Sequence, residues 1–164
     1  VKNKIILVGN GSSLLEKEYG KIIDNYDTIV RFNSYKINGY EKYVGSKTHI
    51  WFTVNKHHFQ SINQYRKVIT HSWAKNNCQL FNSFKKSRED VEKVSFDIID
   101  KIPVAYPSTG LIAIYYFNKK IDLIGFDWWK NQRHHYGDNE VRGTLHKPHL
   151  EYQLIKSLNI NIIS

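Results

Sequence analysis

The sequence predicts an α/β domain built on an open, mostly parallel sheet flanked by helices. Three observations lead there. Short β-branched runs recur along the chain, helical patterns separate most of them, and the two kinds of segment alternate from one end to the other. Lys4-Ile5-Ile6-Leu7-Val8 is a continuous apolar run of the kind found in a strand buried on both faces. After Gly9-Asn10-Gly11-Ser12-Ser13, the residues Leu14, Leu15, Tyr19, Ile22 and Ile23 recur at helical spacing. Asp27–Val30 and Thr48–Phe52 read as the next strands, with Val68-Ile69-Thr70 a weaker one. From Arg88 to Asp100, Val91, Val94, Ile98 and Ile99 fall on one face, which predicts a helix. Thr109–Asn118 predicts a short apolar helix and Ile121–Phe126 a strand. Pro148–Leu158 predicts an amphipathic helix, and Ile160–Ile163 a closing strand. No repeat, low-complexity tract or linker interrupts the 164 residues, so residues 1–164 are expected to form a single domain.

Composition narrows the classes. Hydrophobic residues are 41% and aromatics 14%, which excludes a disordered chain. No apolar run approaches the ~18–20 residues of a membrane span, and no signal peptide is visible. Cys78 is the only cysteine, which excludes an internal disulfide and a multi-cysteine metal site and fits a reducing compartment. The chain has no methionine, which reads as a trimmed chain or a piece of a longer one. Net charge is +9, with the basic residues spread rather than clustered. That charge suits polyanions: nucleic acid, an anionic membrane face, or phosphorylated and carboxylated substrates. A solvated basic surface explains it as well.

In open parallel sheets ligands sit beyond the carboxyl ends of the strands, and four such segments carry chemistry. Gly9-Asn10-Gly11-Ser12-Ser13 lets the backbone turn sharply and offers free N–H groups to an anion, or is an ordinary strand-to-helix turn. It is neither a GxGxxG nor a GK[ST] loop, which disfavours nicotinamide and ATP chemistry. Arg31-Phe32-Asn33 places at a strand end an amide able to read a base or ribose, or to close a turn. Pro107-Ser108-Thr109-Gly110 opens a helix, with capping and anion binding both open. The last is His134-His135-Tyr136-Gly137-Asp138 followed by His146-Lys147-Pro148-His149-Leu150-Glu151. Zinc is disfavoured, because no HExxH or cysteine partner accompanies the histidines. Pro148 as first helical residue puts His146 just ahead of the positive end of a helix dipole, a field that favours the neutral ring a general base needs; a surface histidine beside a cap is the alternative.

Taken in order, these segments resemble the sialyl motifs of the sialyltransferases. Val8-Gly9-Asn10 through Arg31-Phe32-Asn33 to Val44-Gly45-Ser46-Lys47-Thr48 resembles the long motif. Pro107-Ser108-Thr109-Gly110 through Ile124-Gly125-Phe126 resembles the short one. His135-Tyr136-Gly137-Asp138 is similar to the third motif, with Gly137 where an aromatic is usual, and His146 with Glu151 matches the very short motif. Gly9–Leu14 and Gly125-Phe126-Asp127-Trp128-Trp129 also look like the small bacterial sialyltransferases. The resemblance implies a Rossmann-like, GT-A-variant fold and inverting transfer of a sialic acid from CMP-sialic acid to an acceptor glycan or glycolipid hydroxyl, with no metal or other cofactor. CMP-Kdo is the alternative donor. A basic domain binding nucleotide or nucleic acid without catalysis is the alternative from another class.

The resemblance also implies roles. Gly9, Asn10, Gly11 and Ser12 with the helix start would hold the nucleotide phosphate or ribose, and Arg31 and Asn33 belong to the same donor site. Ser108, Thr109 and Gly110 would face the sugar carboxylate or the ribose, with Gly125, Phe126 and Asp127 beside them. His135 and Tyr136 would donate to the departing phosphate, and His146 would take the acceptor's proton. Glu151 would orient the site or merely favour the helix dipole. A polar stretch at about 128–144 is expected to be a lid. A bacterial enzyme of this kind, serving lipooligosaccharide, capsule or protein glycosylation, is expected in the cytoplasm or at the inner membrane face. A trimmed anchor would instead fit the Golgi lumen.

Overall fold

The computed structural model describes residues 3–54, 62–74, 79–118, 121–128, 135–137 and 145–164. Cys78, Trp129, His134, Asp138 and all of the expected lid apart from Trp128 and residues 135–137 lie outside the described residues. Strands β1 (Ile5–Val8), β2 (Thr28–Phe32), β3 (Ile50–Thr53), β4 (Lys67–Thr70), β5 (Glu92–Lys93), β6 (Asp122–Ile124) and β7 (Asn161–Ile163) form one sheet in the order β5-β4-β3-β2-β1-β6-β7. Each of its pairings is parallel, so the expected mostly parallel sheet is parallel throughout. From β1 the chain builds outward to β5, then returns to add β6 on the other side of β1. The crevice between β1 and β6 is therefore the topological switch point, where parallel sheets take their ligands.

Both faces are covered, as buried parallel strands require. Side chains alternate along each strand. Leu7, Val30, Phe52, Ile69 and Leu123 therefore face one way, onto α5 (Thr109–Phe117) and α6 (Pro148–Ser157). Ile6, Val8, Ile29 and Ile124 face the other way, onto a short 3-10 turn (Ser12–Leu15), α1 (Gly20–Asp24) and α2 (Glu41–Val44). Trp51 and Val68 continue that second face, packing with Phe84 of α3 (Gln79–Ser87). The apolar character of α5 follows from its place: Leu111, Ile112, Ala113 and Ile114 are all buried.

Two expectations are corrected. The helix expected over Arg88–Asp100 is only α4 (Phe96–Ile99), preceded by the edge strand β5. The Val94 amide bonds the Thr70 carbonyl at the end of β4 (2.8 Å), so tertiary pairing takes a group that a helix would need. Val91 and Val94 belong to different cores, and the period that joins them is accidental. The helical spacing from Leu14 to Ile23 is likewise split into the 3-10 turn and α1. α1 starts at Gly20, where an added Cβ would lie 2.3 Å from the Glu41 carbonyl oxygen, so α1 and α2 touch backbone to backbone there.

Beyond β1 and β6 the loops stay joined: Gly9 donates to the Ile124 carbonyl and Gly11 to that of Gly125, both at 2.8 Å. A Cβ on Gly9 would sit 2.2 Å from the Gly125 carbonyl oxygen, and backbone cannot swing away as a side chain can. Gly9→Ala should therefore lower the unfolding free energy by about 2–3 kcal/mol. Urea unfolding checks this, and a loss below about 0.5 kcal/mol would mean that the loops are not so closely joined.

Candidate active site

A cleft of about 340 Å³ opens at the switch point. The ends of β1, β2 and β6 reach it through Gly9, Asn10, Gly11, Phe32, Asn33, Gly125, Phe126 and Asp127. Ser108, Thr109 and Gly110 at the start of α5 line it, as do His135, His146, Pro148 and Glu151. Val54, Trp73 and Trp128 complete the wall. Nearly all of the candidate residues thus meet in one place; Ser12, Arg31 and Tyr136 do not line it.

The two asparagines present opposite groups. Asn10 donates through Nδ2 to the Phe32 carbonyl (3.1 Å), and its Oδ1 is buried with no partner among the described residues. Asn33 does the reverse. Its Oδ1 accepts from the Val54 amide (3.0 Å) and the Thr53 hydroxyl (3.2 Å), which leaves Nδ2 as its donor. Asn33 adopts the left-handed conformation (φ 46°), which asparagine tolerates better than most residues. The turn after β1 is less open than its glycines suggest. The Asp127 carboxylate accepts from the Ser13 amide (3.1 Å) and the Ser12 hydroxyl (3.4 Å), so the chain supplies its own anion there. Gly11 is needed at this contact, since a Cβ would lie 2.4 Å from the Asp127 carboxyl carbon. The Ser13 amide and the Ser12 hydroxyl, expected with Asn10 to hold the nucleotide phosphate or ribose, are bonded to Asp127 instead of standing open.

The opposite wall is gripped from two sides. Glu151, 2% exposed, accepts the Ser108 amide (2.8 Å) and the Ser108 hydroxyl (2.6 Å). The same hydroxyl caps α5 by accepting from the Leu111 amide (3.2 Å). Of the two roles open for Glu151, orienting the site is the one its contacts fit. From β4's end, Trp73 donates through Nε1 to the Pro107 carbonyl (2.9 Å), and His71 places Nε2 3.1 Å from the Thr109 hydroxyl oxygen. Among the described residues no acceptor is bonded to the Thr109 and Gly110 amides, the first donors of α5.

His146 lies two residues before α6, as expected, with Nδ1 2.8 Å from the Tyr106 carbonyl oxygen. A carbonyl only accepts, so Nδ1 carries the proton and Nε2 is left as the basic nitrogen. Tyr106 (φ 50°) and Trp128 (φ 37°) are both left-handed, which is uncommon for bulky residues and frequent at functional sites. Tyr136 is buried, and its hydroxyl donates to the Lys36 carbonyl, accepts from the Lys36 amide (3.3 Å) and packs edge-on against Tyr40. Burial raises its pKa. In place of the expected phosphate donor the structure has a wedge, whose own amide donates to the Asn10 carbonyl (2.8 Å). Arg31 is fully buried and donates to the carbonyls of Val44 (2.6 Å) and Lys47 (3.0 Å) and to the Thr48 hydroxyl (3.1 Å). It anchors the 44–48 loop rather than a donor. Among the described residues no group of three His, Cys, Asp or Glu side chains could hold a metal ion. None of the described helices is long and apolar enough to cross a membrane.

Known proteins share both sequence and fold with this chain. The sequence model of glycosyltransferase family 29 (sialyltransferase) matches residues 3–92, more than half of the chain. The chain belongs to this family. A human CMP-N-acetylneuraminate-beta-1,4-galactoside alpha-2,3-sialyltransferase is 44% identical over 64 residues, 39% of this chain and 17% of that enzyme. A beta-1,6-galactosyltransferase of Arabidopsis thaliana is 46% identical over 46 residues, 28% of this chain and 12% of that protein. These matches therefore span less than a fifth of each relative. A crystal structure of a mammalian sialyltransferase in complex with Gal-beta-1-3GalNAc-ortho-nitrophenol shares the fold, with a TM-score of 0.64 and 23% identity over 98% of this chain and 69% of that one.

Within this family 29 site, His71 and Trp73 are the residues that sequence reasoning passed over. Their only signal was position, at the carboxyl end of the strand Val68–Thr70. His71 is 4% exposed, and burial, with a smaller contribution from His146, pushes its pKa down to about 3. The folded pKa lies below the unfolded value, so the unfolded chain binds the extra proton and stability rises with pH. The contribution is complete above about pH 6.5 and is lost as pH falls toward 3, at about 1.4 kcal/mol per pH unit. Urea unfolding should therefore show the protein about 2 kcal/mol less stable at pH 5 than at pH 6.5 from this group, with a smaller loss for His71→Gln. An equal loss in both proteins would show that His71 is not held neutral.

Proposed function

We propose that the chain is a metal-independent, inverting sialyltransferase that uses CMP-sialic acid and an acceptor glycan hydroxyl. The observation that carries this is the Nδ1–H bond of His146 to the Tyr106 carbonyl, which leaves Nε2 as a base on the wall of the cleft. In this reading Nε2 accepts the proton of the acceptor hydroxyl as its oxygen attacks the anomeric carbon. The bond from that carbon to the phosphate oxygen breaks, and CMP leaves with the electron pair. Charge grows on the departing phosphate, and donors aimed at it lower the barrier most. The Asn33 amide and His135 are the groups supplied for this, while Ser108, Thr109 and Gly110 face the sugar carboxylate or the ribose. A single phosphate leaves, which these donors serve without a divalent ion. Neither CMP-Kdo nor nucleic acid gains an observation from the cleft.

Calorimetry of the chain with CMP, UMP and ADP in EDTA tests the donor site, with UDP-galactose added because one relative is named a galactosyltransferase. Selective micromolar binding of CMP is expected, whereas equal binding of UMP, or a need for metal, contradicts the reading. His146→Ala should leave CMP affinity unchanged and slow sialyl transfer at least about 10²-fold, as expected for loss of a general base.

A further inference from the structure

Trp73 lies outside every motif of the sequence, yet two routes join it to His146. We infer that Trp73 is a positioning residue for the base: by holding the Pro107 carbonyl it fixes the Tyr106 carbonyl, which keeps the His146 proton on Nδ1. This rests on the reading above that His146 Nε2 takes the acceptor's proton. The argument begins with the peptide between Pro107 and Ser108. Its carbonyl accepts from Trp73 Nε1 (2.9 Å) and its N–H donates to the Glu151 carboxylate (2.8 Å), so the plane is pinned at both ends. The preceding peptide carries the Tyr106 carbonyl, 2.8 Å from His146 Nδ1. Two torsions of Pro107 relate the two planes, and the proline ring locks φ at about −65°. With the second plane pinned, ψ alone can re-aim the Tyr106 oxygen.

The local strain fits this arrangement. Tyr106 is left-handed (φ 50°), a conformation that a bulky residue keeps where its surroundings over-determine it. Bonds from His146 and Trp73 to consecutive carbonyls supply that constraint. The second route is direct: the Trp73 indole lies beside the His146 ring, with centroids 6.1 Å apart and planes tilted by 45°. The indole is itself seated edge-on against the buried His71 ring (5.0 Å, 83°). A neutral imidazole has two tautomers, and a base in the cleft needs the one with a free lone pair on Nε2. A fixed carbonyl opposite Nδ1 selects that tautomer, and a loosened one selects neither.

The test removes the indole N–H. Trp73→Phe keeps an aromatic ring and should slow sialyl transfer about tenfold through kcat, with CMP affinity within about twofold of wild type. Combined with His146→Ala it should cause no further loss, because the residue through which it acts is gone. ¹⁵N imidazole spectra, with His146 assigned by its absence from His146→Ala, report the cause without turnover. Nδ1 is expected to be protonated in the wild-type chain, with part of that proton moved to Nε2 in Trp73→Phe. Should Trp73→Phe fail to fold, the wild-type indole proton still reports the bond: it should exchange with solvent at least about tenfold more slowly than that of free tryptophan. An unchanged tautomer or unchanged kcat in Trp73→Phe, a parallel weakening of CMP, an equal loss in the His146→Ala background, or an indole proton that exchanges freely overturns the inference. A wild-type chain that transfers no sialic acid, or a His146→Ala chain as active as wild type, overturns instead the reading on which it rests.

Discussion

A buried carboxylate that accepts an amide and a hydroxyl from one residue ties α6 to the start of α5, and the geometry of the cleft depends on that tie. So enclosed a carboxylate needs hydrogen-bond donors for its oxygens, and Ser108 supplies two. Hydrogen bonds to a charged group contribute about 1.5–3 kcal/mol each, which is large against the stability of a small domain. Five residues earlier, His146 holds the Tyr106 carbonyl. The two side chains therefore grip the two ends of the Tyr106–Ser108 segment from a single helix entry. That is a physical reason for their spacing: one residue positions the base, the other positions the helix start that faces it.

The opposite side of the same segment is held by β4's tail through Trp73 and His71. The start of α5 is thus clamped between a helix and a strand end, and its leading amides are left toward the cleft. Across the cleft, the β1 turn is closed by Asp127, while Asn10 and Asn33 are each held at one end of the amide and offer the other. Preorganised groups of this kind cost no reorganisation when charge develops, which is the property a transferase site needs. The long-motif stretch from Val44 to Thr48 contributes at a distance. It is pinned by Arg31 from within the core and by the Asp24 carboxylate, which accepts the amides of Ser46 and Lys47.

Much of this was legible in the sequence, for identifiable reasons. The β-branched runs at Ile5–Val8 and Thr28–Val30 mark strands buried on both faces, and Pro148 marks a helix start, because local chemistry decides those cases. The cleft residues were legible because a parallel sheet collects its strand ends at one edge. What was not legible depended on distant partners. Nothing near Val94 announces that its amide pairs with Thr70, and nothing near Ser13 announces the Asp127 carboxylate. Arg31 and Tyr136 share motifs with cleft residues yet point into the protein, where they fasten the loops that carry the site. A motif marks what the site requires, whether by touching the ligand or by holding what does. His71 shows the converse: it bears on the site from outside any motif.

The most direct test is a crystal structure of the chain with CMP. The account predicts CMP in the cleft at the β1/β6 switch point, with its phosphate on the Asn33 amide, its ribose toward the start of α5, and Asp127 still capping Ser13. A phosphate seated on the Ser12–Ser13 turn, with the Asp127 carboxylate displaced, would contradict it.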